Sequence, residues 1–177
     1  MNRKGDKSLI VGLDIGTSKV VALVGEYEPG SPIEVIGIGS HESRGLKRGV
    51  VVDIESTVQS IQRAVEEAEL MAGCEIRSVY ASISGAHVQC RNSQGIQPIR
   101  EGEVTWGDLD RVLEAAKAVA IPADQRILHA IPREYVLDDS QEGIRNPVGM
   151  TGVRLEVHAH LVTCAQSAAQ NITKCVQ

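Results

Sequence analysis

Two apolar runs near the start of the chain flank a short polar break. They read as paired strands within residues 8–24, joined by the turn Asp14-Ile15-Gly16-Thr17-Ser18-Lys19. A third strand is predicted over residues 34–40, after the turn signal Glu28-Pro-Gly-Ser-Pro32. Ile54, Val58, Ile61, Val65, Ala68 and Ala72 then recur at four- and three-residue steps, the mark of one helical face. Asp53 is placed to cap that helix and Gly73 to stop it. A fourth strand is expected over residues 77–84. Three antiparallel strands, a helix and a returning strand make the opening of a ribonuclease-H-like α/β unit.

The pattern changes after Ser84-Gly85. Residues 88–91 and 96–99 read as short extended pieces on either side of a hairpin-type turn, Asn92-Ser-Gln-Gly95. Thr105 is expected to cap a helix over residues 106–120, with Leu109, Val112, Leu113, Ala116 and Val119 on its apolar face and Pro122 ending it. Residues 127–131 and 134–137 are strand candidates bent at Pro132, followed by a polar loop over 138–143. Residues 154–162 alternate strictly and predict the clearest strand of the region. A last amphipathic helix starts near Ala165, with Ala168, Ile172 and Val176 on one face. The expected division is residues 1–85 and 163–177 in one α/β unit, with a small α+β insertion over 86–162. A chain that stops inside a helix is expected to be part of a longer one.

Composition narrows the chemistry. Of 177 residues, 42% are hydrophobic, enough for packed cores, and with no Phe these must be built from Val, Ile, Leu and Ala. A formal charge of −5 argues against nucleic-acid binding. The basic group Arg44, Lys47 and Arg48 is read as a solvated connection. Cys74, Cys90, Cys164 and Cys175 lack C-x-x-C spacing, as expected of reduced thiols in a cytosolic protein. The polar start, residues 1–7, has no signal-peptide pattern, and no apolar run approaches the ~20 residues of a membrane span.

The turn at residues 14–19 is the richest chemistry. Gly16 lets backbone approach an anion, Thr17 and Ser18 bring hydroxyls, Lys19 brings a positive charge, and Asp14 is suited to holding Mg²⁺ through water. The same residue types also simply close turns. No G-x-x-x-x-G-K-[ST] or G-x-G-x-x-G occurs. His158 and His160 share a strand face beside Glu156, but zinc requires three or four ligands. That pair is read as a polar strand face, and Trp106 as a local packing residue.

Val11–Lys19 resembles the first phosphate motif of the actin, sugar kinase and heat-shock ATPase superfamily. Five stretches together resemble the FtsA family of bacterial actin-like cell-division proteins: Gly12-Leu-Asp-Ile-Gly-Thr-Ser-Lys19, Gly45-Leu-Lys-Arg-Gly-Val-Val-Val-Asp53, Ser82-Ile-Ser-Gly-Ala-His87, Glu103-Val-Thr105 and Asn146-Pro-Val-Gly-Met-Thr-Gly152. The resemblance implies an actin-like mixed sheet, with residues 1–85 and 163–177 in subdomain 1A and 86–162 as the 1C insertion. It implies ATP with Mg²⁺ as cofactor, with Gly16, Thr17, Ser18 and Lys19 on the phosphates and Asp14 as the Mg²⁺-side carboxylate. It further implies polymerisation, contacts of 1C with neighbouring FtsA subunits and the FtsN tail, and FtsZ binding through another lobe. Membrane attachment would use a C-terminal helix, placing the protein on the cytoplasmic side of the inner membrane at the septum. At most weak ATP hydrolysis is implied for a full-length protein, and none for this stretch. A PilM-like pilus scaffold, or a sugar kinase or chaperone ATPase of the same superfamily, stands as the alternative.

Overall fold

The computed structural model describes residues 8–139 and 141–177; the polar start and Ser140, within the expected 138–143 loop, lie outside the described residues. Contacts divide the chain into two units, one up to Ala86 together with Ser167–Gln177, the other His87–Gln166.

In the first unit, β1 (Ser8–Ile15), β2 (Lys19–Tyr27) and β3 (Glu34–Glu42) form an antiparallel meander. The expected fourth strand shrinks to β6 (Tyr80–Ala81), which pairs parallel to β1 and gives the order β3-β2-β1-β6. Between them lie a small hairpin, β4 (Leu46–Lys47) and β5 (Val50–Val51), and the helix α1 (Ile54–Ala72). Val11, Leu13, Ile15, Val20, Ala22 and Val24 line the inner face of the sheet. They pack on Ile61, Ala64 and Ala68 of α1 and on Ile172 and Cys175 of α3 (Gln166–Val176). The buried face of α1 is wider than the expected one: Ile61 and Ala68 are buried as expected and Val58, Val65 and Ala72 pack against the core, but Thr57, Ser60 and Ala64 are covered beside them and Ile54 is exposed. Gly39 explains the added strip. A Cβ there would lie 1.9 Å from the Ala64 carbonyl oxygen, so the helix backbone rests directly on β3 and only small side chains fit the seam. Asp53 caps α1 by accepting from the Ser56 amide at 3.2 Å, and Gly73 ends it at φ 67°.

In the second unit, β7 (Gln89–Pro98), β8 (Gln125–Leu137), β9 (Gln141–Ile144) and β10 (Arg154–Ala165) form an antiparallel sheet ordered β7-β10-β8-β9. Helix α2 (Trp106–Lys117) covers one face through Val112 and Ala116. Leu155, Val157, Ala159 and Leu161 of β10 point into this core, as the strict alternation requires. Two expectations are corrected here. The stretch expected to be two pieces and a turn is one continuous strand, because Gly95 serves close packing: a Cβ there would sit 2.1 Å from the Val112 carbonyl oxygen. Strand β8 runs through Pro132 without breaking, because a register shift against His158 and Ala159 absorbs the proline.

Thr105 and Asp108 cap α2 reciprocally. The Thr105 amide donates to the Asp108 carboxylate at 2.9 Å, and the Asp108 amide donates to the Thr105 hydroxyl at 3.3 Å. The Thr105 hydroxyl, with help from Arg111, holds the Asp108 carboxyl below the usual carboxylate range. The helix ends at Lys117, short of the expected Ala120. The stretch around Val104 exchanges backbone hydrogen bonds with 149–150, both at 2.9 Å, so two of the stretches carrying the resemblance meet.

Candidate functional site

The hairpin β1–β2 presents Gly16, Thr17 and Ser18 at its tip. The Gly16 amide donates to the Lys19 carbonyl at 3.0 Å and closes the turn. A Cβ on Gly16 would lie 2.9 Å from that same carbonyl oxygen, so a larger residue would open it. Among the described residues, no hydrogen-bond partner meets the amides of Thr17 and Ser18. Both side chains are exposed, as are Asp14 and Lys19.

Two distant segments buttress the turn. The β4–β5 hairpin reverses at Arg48 (φ 52°) and Gly49 (φ 79°), and the Gly49 amide donates to the Thr17 hydroxyl at 3.1 Å. Gly49 rests on the backbone of Ser84 and Gly85, where a Cβ would come within 2.5 Å of the Ser84 oxygen. The parallel pairing of β6 with β1 brings in Ser82. Its amide donates to the Leu13 carbonyl at 2.9 Å, and its hydroxyl donates to Asp14 Oδ1 at 2.7 Å while accepting from the Ile15 amide at 3.3 Å. One oxygen of Asp14 is thereby oriented, and the carboxylate stays exposed to solvent.

All five residues singled out from the sequence therefore lie on one turn. The sequence reading missed Ser82 and Gly49. Both belong to stretches that carry the family resemblance, but only the tertiary pairing puts them beside Asp14 and Thr17.

The other candidates resolve differently. His158 has Nδ1 2.9 Å from Glu134 Oε1 and Nε2 3.0 Å from Glu156 Oε1, and the Glu134 contact, with Glu156, pushes its pKa up. Only the imidazolium donates from both nitrogens. No group of three or more His, Cys, Asp or Glu side chains suited to a metal ion exists among the described residues. Trp106, expected to pack locally, is 68% exposed. No helix among the described residues is long and apolar enough to cross a membrane.

Comparison with known proteins adds an independent line. The family model described as "SHS2 domain inserted in FTSA" matches residues 85–163. Cell division protein FtsA of Pseudomonas aeruginosa is 63% identical over 169 residues, which is 96% of this chain and 40% of that protein. The FtsA of Escherichia coli K12 is 50% identical over 177 residues, 100% of this chain and 42% of that protein. This chain belongs to the FtsA family. FtsA of Neisseria meningitidis serogroup B is also similar, 49% identical over 93% of this chain and 40% of its own length. The chain thus spans 40–42% of the length of these FtsA relatives. Among solved structures, the PilM–PilN type IV pilus biogenesis complex is similar in fold, with a TM-score of 0.61 at 19% identity over 94% of this chain and 43% of that one. The fold is actin-like α/β with an inserted SHS2 unit, and the pilus biogenesis complex shares the fold alone.

Proposed function

We propose that this chain is the nucleotide-facing portion of an FtsA-type division adaptor, carrying half of an ATP site and an interaction module. The observation that carries the reading is the tip of the β1–β2 hairpin. Consecutive unpaired amides at Thr17 and Ser18 sit with two hydroxyls and the Lys19 ammonium on an exposed turn. Such a run of donors suits phosphate oxygens. Gly16, Thr17, Ser18 and Lys19 would hold the phosphates of ATP. Asp14, oriented by Ser82, would face Mg²⁺ through water, since that ion gives up its hydration reluctantly. The metal would neutralise phosphate charge there.

In this reading the first unit is subdomain 1A and the second is 1C. The 1C unit meets neighbouring FtsA subunits and the FtsN tail. FtsZ binding and attachment to the membrane, on its cytoplasmic face at the septum, belong to other parts of the protein. The division role rests on the family. A pilus-scaffold role has only the shared fold behind it.

If a complete site binds ATP near micromolar and this chain supplies about half of the contacts, its own affinity falls to about millimolar. Titrating MgATP into labelled protein should shift the Thr17 and Ser18 amide resonances with that weak constant. Lys19→Ala should weaken the response further, and Asp14→Asn should reduce its dependence on Mg²⁺. Unmoved Thr17 and Ser18 resonances at saturating nucleotide would reject the assignment.

A further inference from the structure

Along the outer edge of β3, side chains of α1 meet the strand one helical turn at a time. The Ile38 amide donates to Met71 Sδ at 3.4 Å and the Ser40 amide to Glu67 Oε2 at 2.8 Å. Four helical residues rise about 6 Å and two strand residues about 6.6 Å, so the two series stay in phase. The next step brings Arg63 level with Glu42. Lys19 pairs with Glu42, and the Lys19 carbonyl faces β1, where it accepts from the Gly16 amide. That pair is therefore a non-hydrogen-bonded one, and the Glu42 amide points outward like those of Ile38 and Ser40. A guanidinium has no acceptor to offer it.

The seam between strand and helix also opens here. Gly37 and Gly39 rest against the backbone of α1, but the next residue on that face is His41, which needs room that the glycines do not. The result is a recess of about 290 Å³ lined by His41, Arg44, Ser56, Gln59, Ser60 and Arg63. The Ser60 hydroxyl accepts from the Arg44 amide at 3.1 Å and donates to the Ser56 carbonyl at 3.0 Å, and the Ser56 hydroxyl donates to Asp53 at 2.8 Å. The side chains of His41, Gln59 and Arg63 and the Glu42 amide meet no partner among the described residues. No carboxylate lines the recess: Glu42 pairs with Arg44 at 3.2 Å on the exposed surface, and Glu67 is held by Ser40.

We infer that this recess binds the phosphate group of a small soluble phosphate monoester. Such a group brings a charge of about −2 and three acceptor oxygens. The Arg44 and Arg63 guanidiniums present planar forks that match those oxygens, and Gln59 and the Glu42 amide add neutral donors. Charge favours a small anion over an anionic membrane surface, because the chain carries −5 overall and Glu42, Glu55 and Glu67 adjoin the lining residues along it. The site is separate from the phosphate turn, since Lys19 turns its backbone groups to β1 and Glu42 turns its own away from β2.

Titrating inorganic phosphate and glycerol phosphate into the isotope-labelled 177-residue chain tests this. The Glu42 amide and Arg63 Nε resonances should shift saturably, while sodium chloride at matched ionic strength leaves them in place. Arg63→Gln should weaken binding roughly tenfold, and Gln59→Glu, which adds a repelling carboxylate, by at least as much. Both positions are exposed, so both variants should keep the parent's unfolding midpoint. In both, the response of Thr17 and Ser18 to MgATP should persist, which separates this site from the nucleotide reading. Shifts that chloride reproduces, that never saturate, or that neither substitution weakens would overturn the proposal. Co-sedimentation with phosphatidic acid vesicles, without any response to the soluble phosphates, would overturn it too by assigning the donors to a lipid headgroup.

Discussion

Ser82 shows how much one hydroxyl does at the candidate site. It donates to Asp14 and accepts from the Ile15 amide, tying the end of β1 to a segment 68 residues away. Ser82→Ala removes both contacts, and the expected loss of stability is about 1 kcal/mol in a urea titration. Asp14 itself was legible because it lies next to the glycine turn; Ser82 was not, because its partner is distant in sequence. His158 lies on the polar strand face expected of it, with a carboxylate at each ring nitrogen. Glu134 and Glu156 flank its ring and favour the charged form, so its pKa is higher folded than unfolded. The stabilisation is then fully present below the unfolded value of about 6.5 and is lost as pH rises through the higher folded value. Comparing the parent with His158→Gln, the stability gap should be wider at about pH 5.5 than at about pH 9. An equal gap at both would show that the ring acts by packing alone.

At the scale of elements, α1 and α2 lie on their sheets by the same device. Gly39 meets the backbone of α1 at Ala64, and Gly95 meets that of α2 at Val112 and Ala116. Gly39→Ala and Gly95→Ala should each destabilise by roughly 1–3 kcal/mol, since helix backbone has little room to yield. A denaturation midpoint unchanged in either variant would contradict that packing. Helix positions were readable from periodicity and caps, as Asp53, Gly73 and Thr105 show. The apolar face of α2 was readable as well, while that of α1 proved broader than its hydropathy, because the Gly39 seam admits small residues that hydropathy undervalues. β7 was misread for a related reason. An edge strand exposed along most of its length needs no apolar alternation, and Asn92-Ser-Gln-Gly95 has the composition of a turn.

For the molecule as a whole, each unit has its own buried cluster, and the four thiols sample both. Cys90 is exposed and Cys74 half-buried, while burial pushes the thiols of Cys164 and Cys175 up. A thiol reagent should therefore modify Cys90 first and reach Cys164 and Cys175 only as their units unfold. Rapid labelling of all four in native buffer would contradict the two cores.

The sequence alone determined the actin-like class, the helix caps and the β1–β2 glycine turn. These depend on local rules: side-chain period, capping chemistry and glycine at a bend. Tertiary structure alone decided that Ser82 orients Asp14, that Gly49 supports Thr17, that His158 sits between two carboxylates and that β7 keeps an open edge. Each depends on pairing between residues far apart along the chain, and such pairing leaves no periodic trace in the sequence.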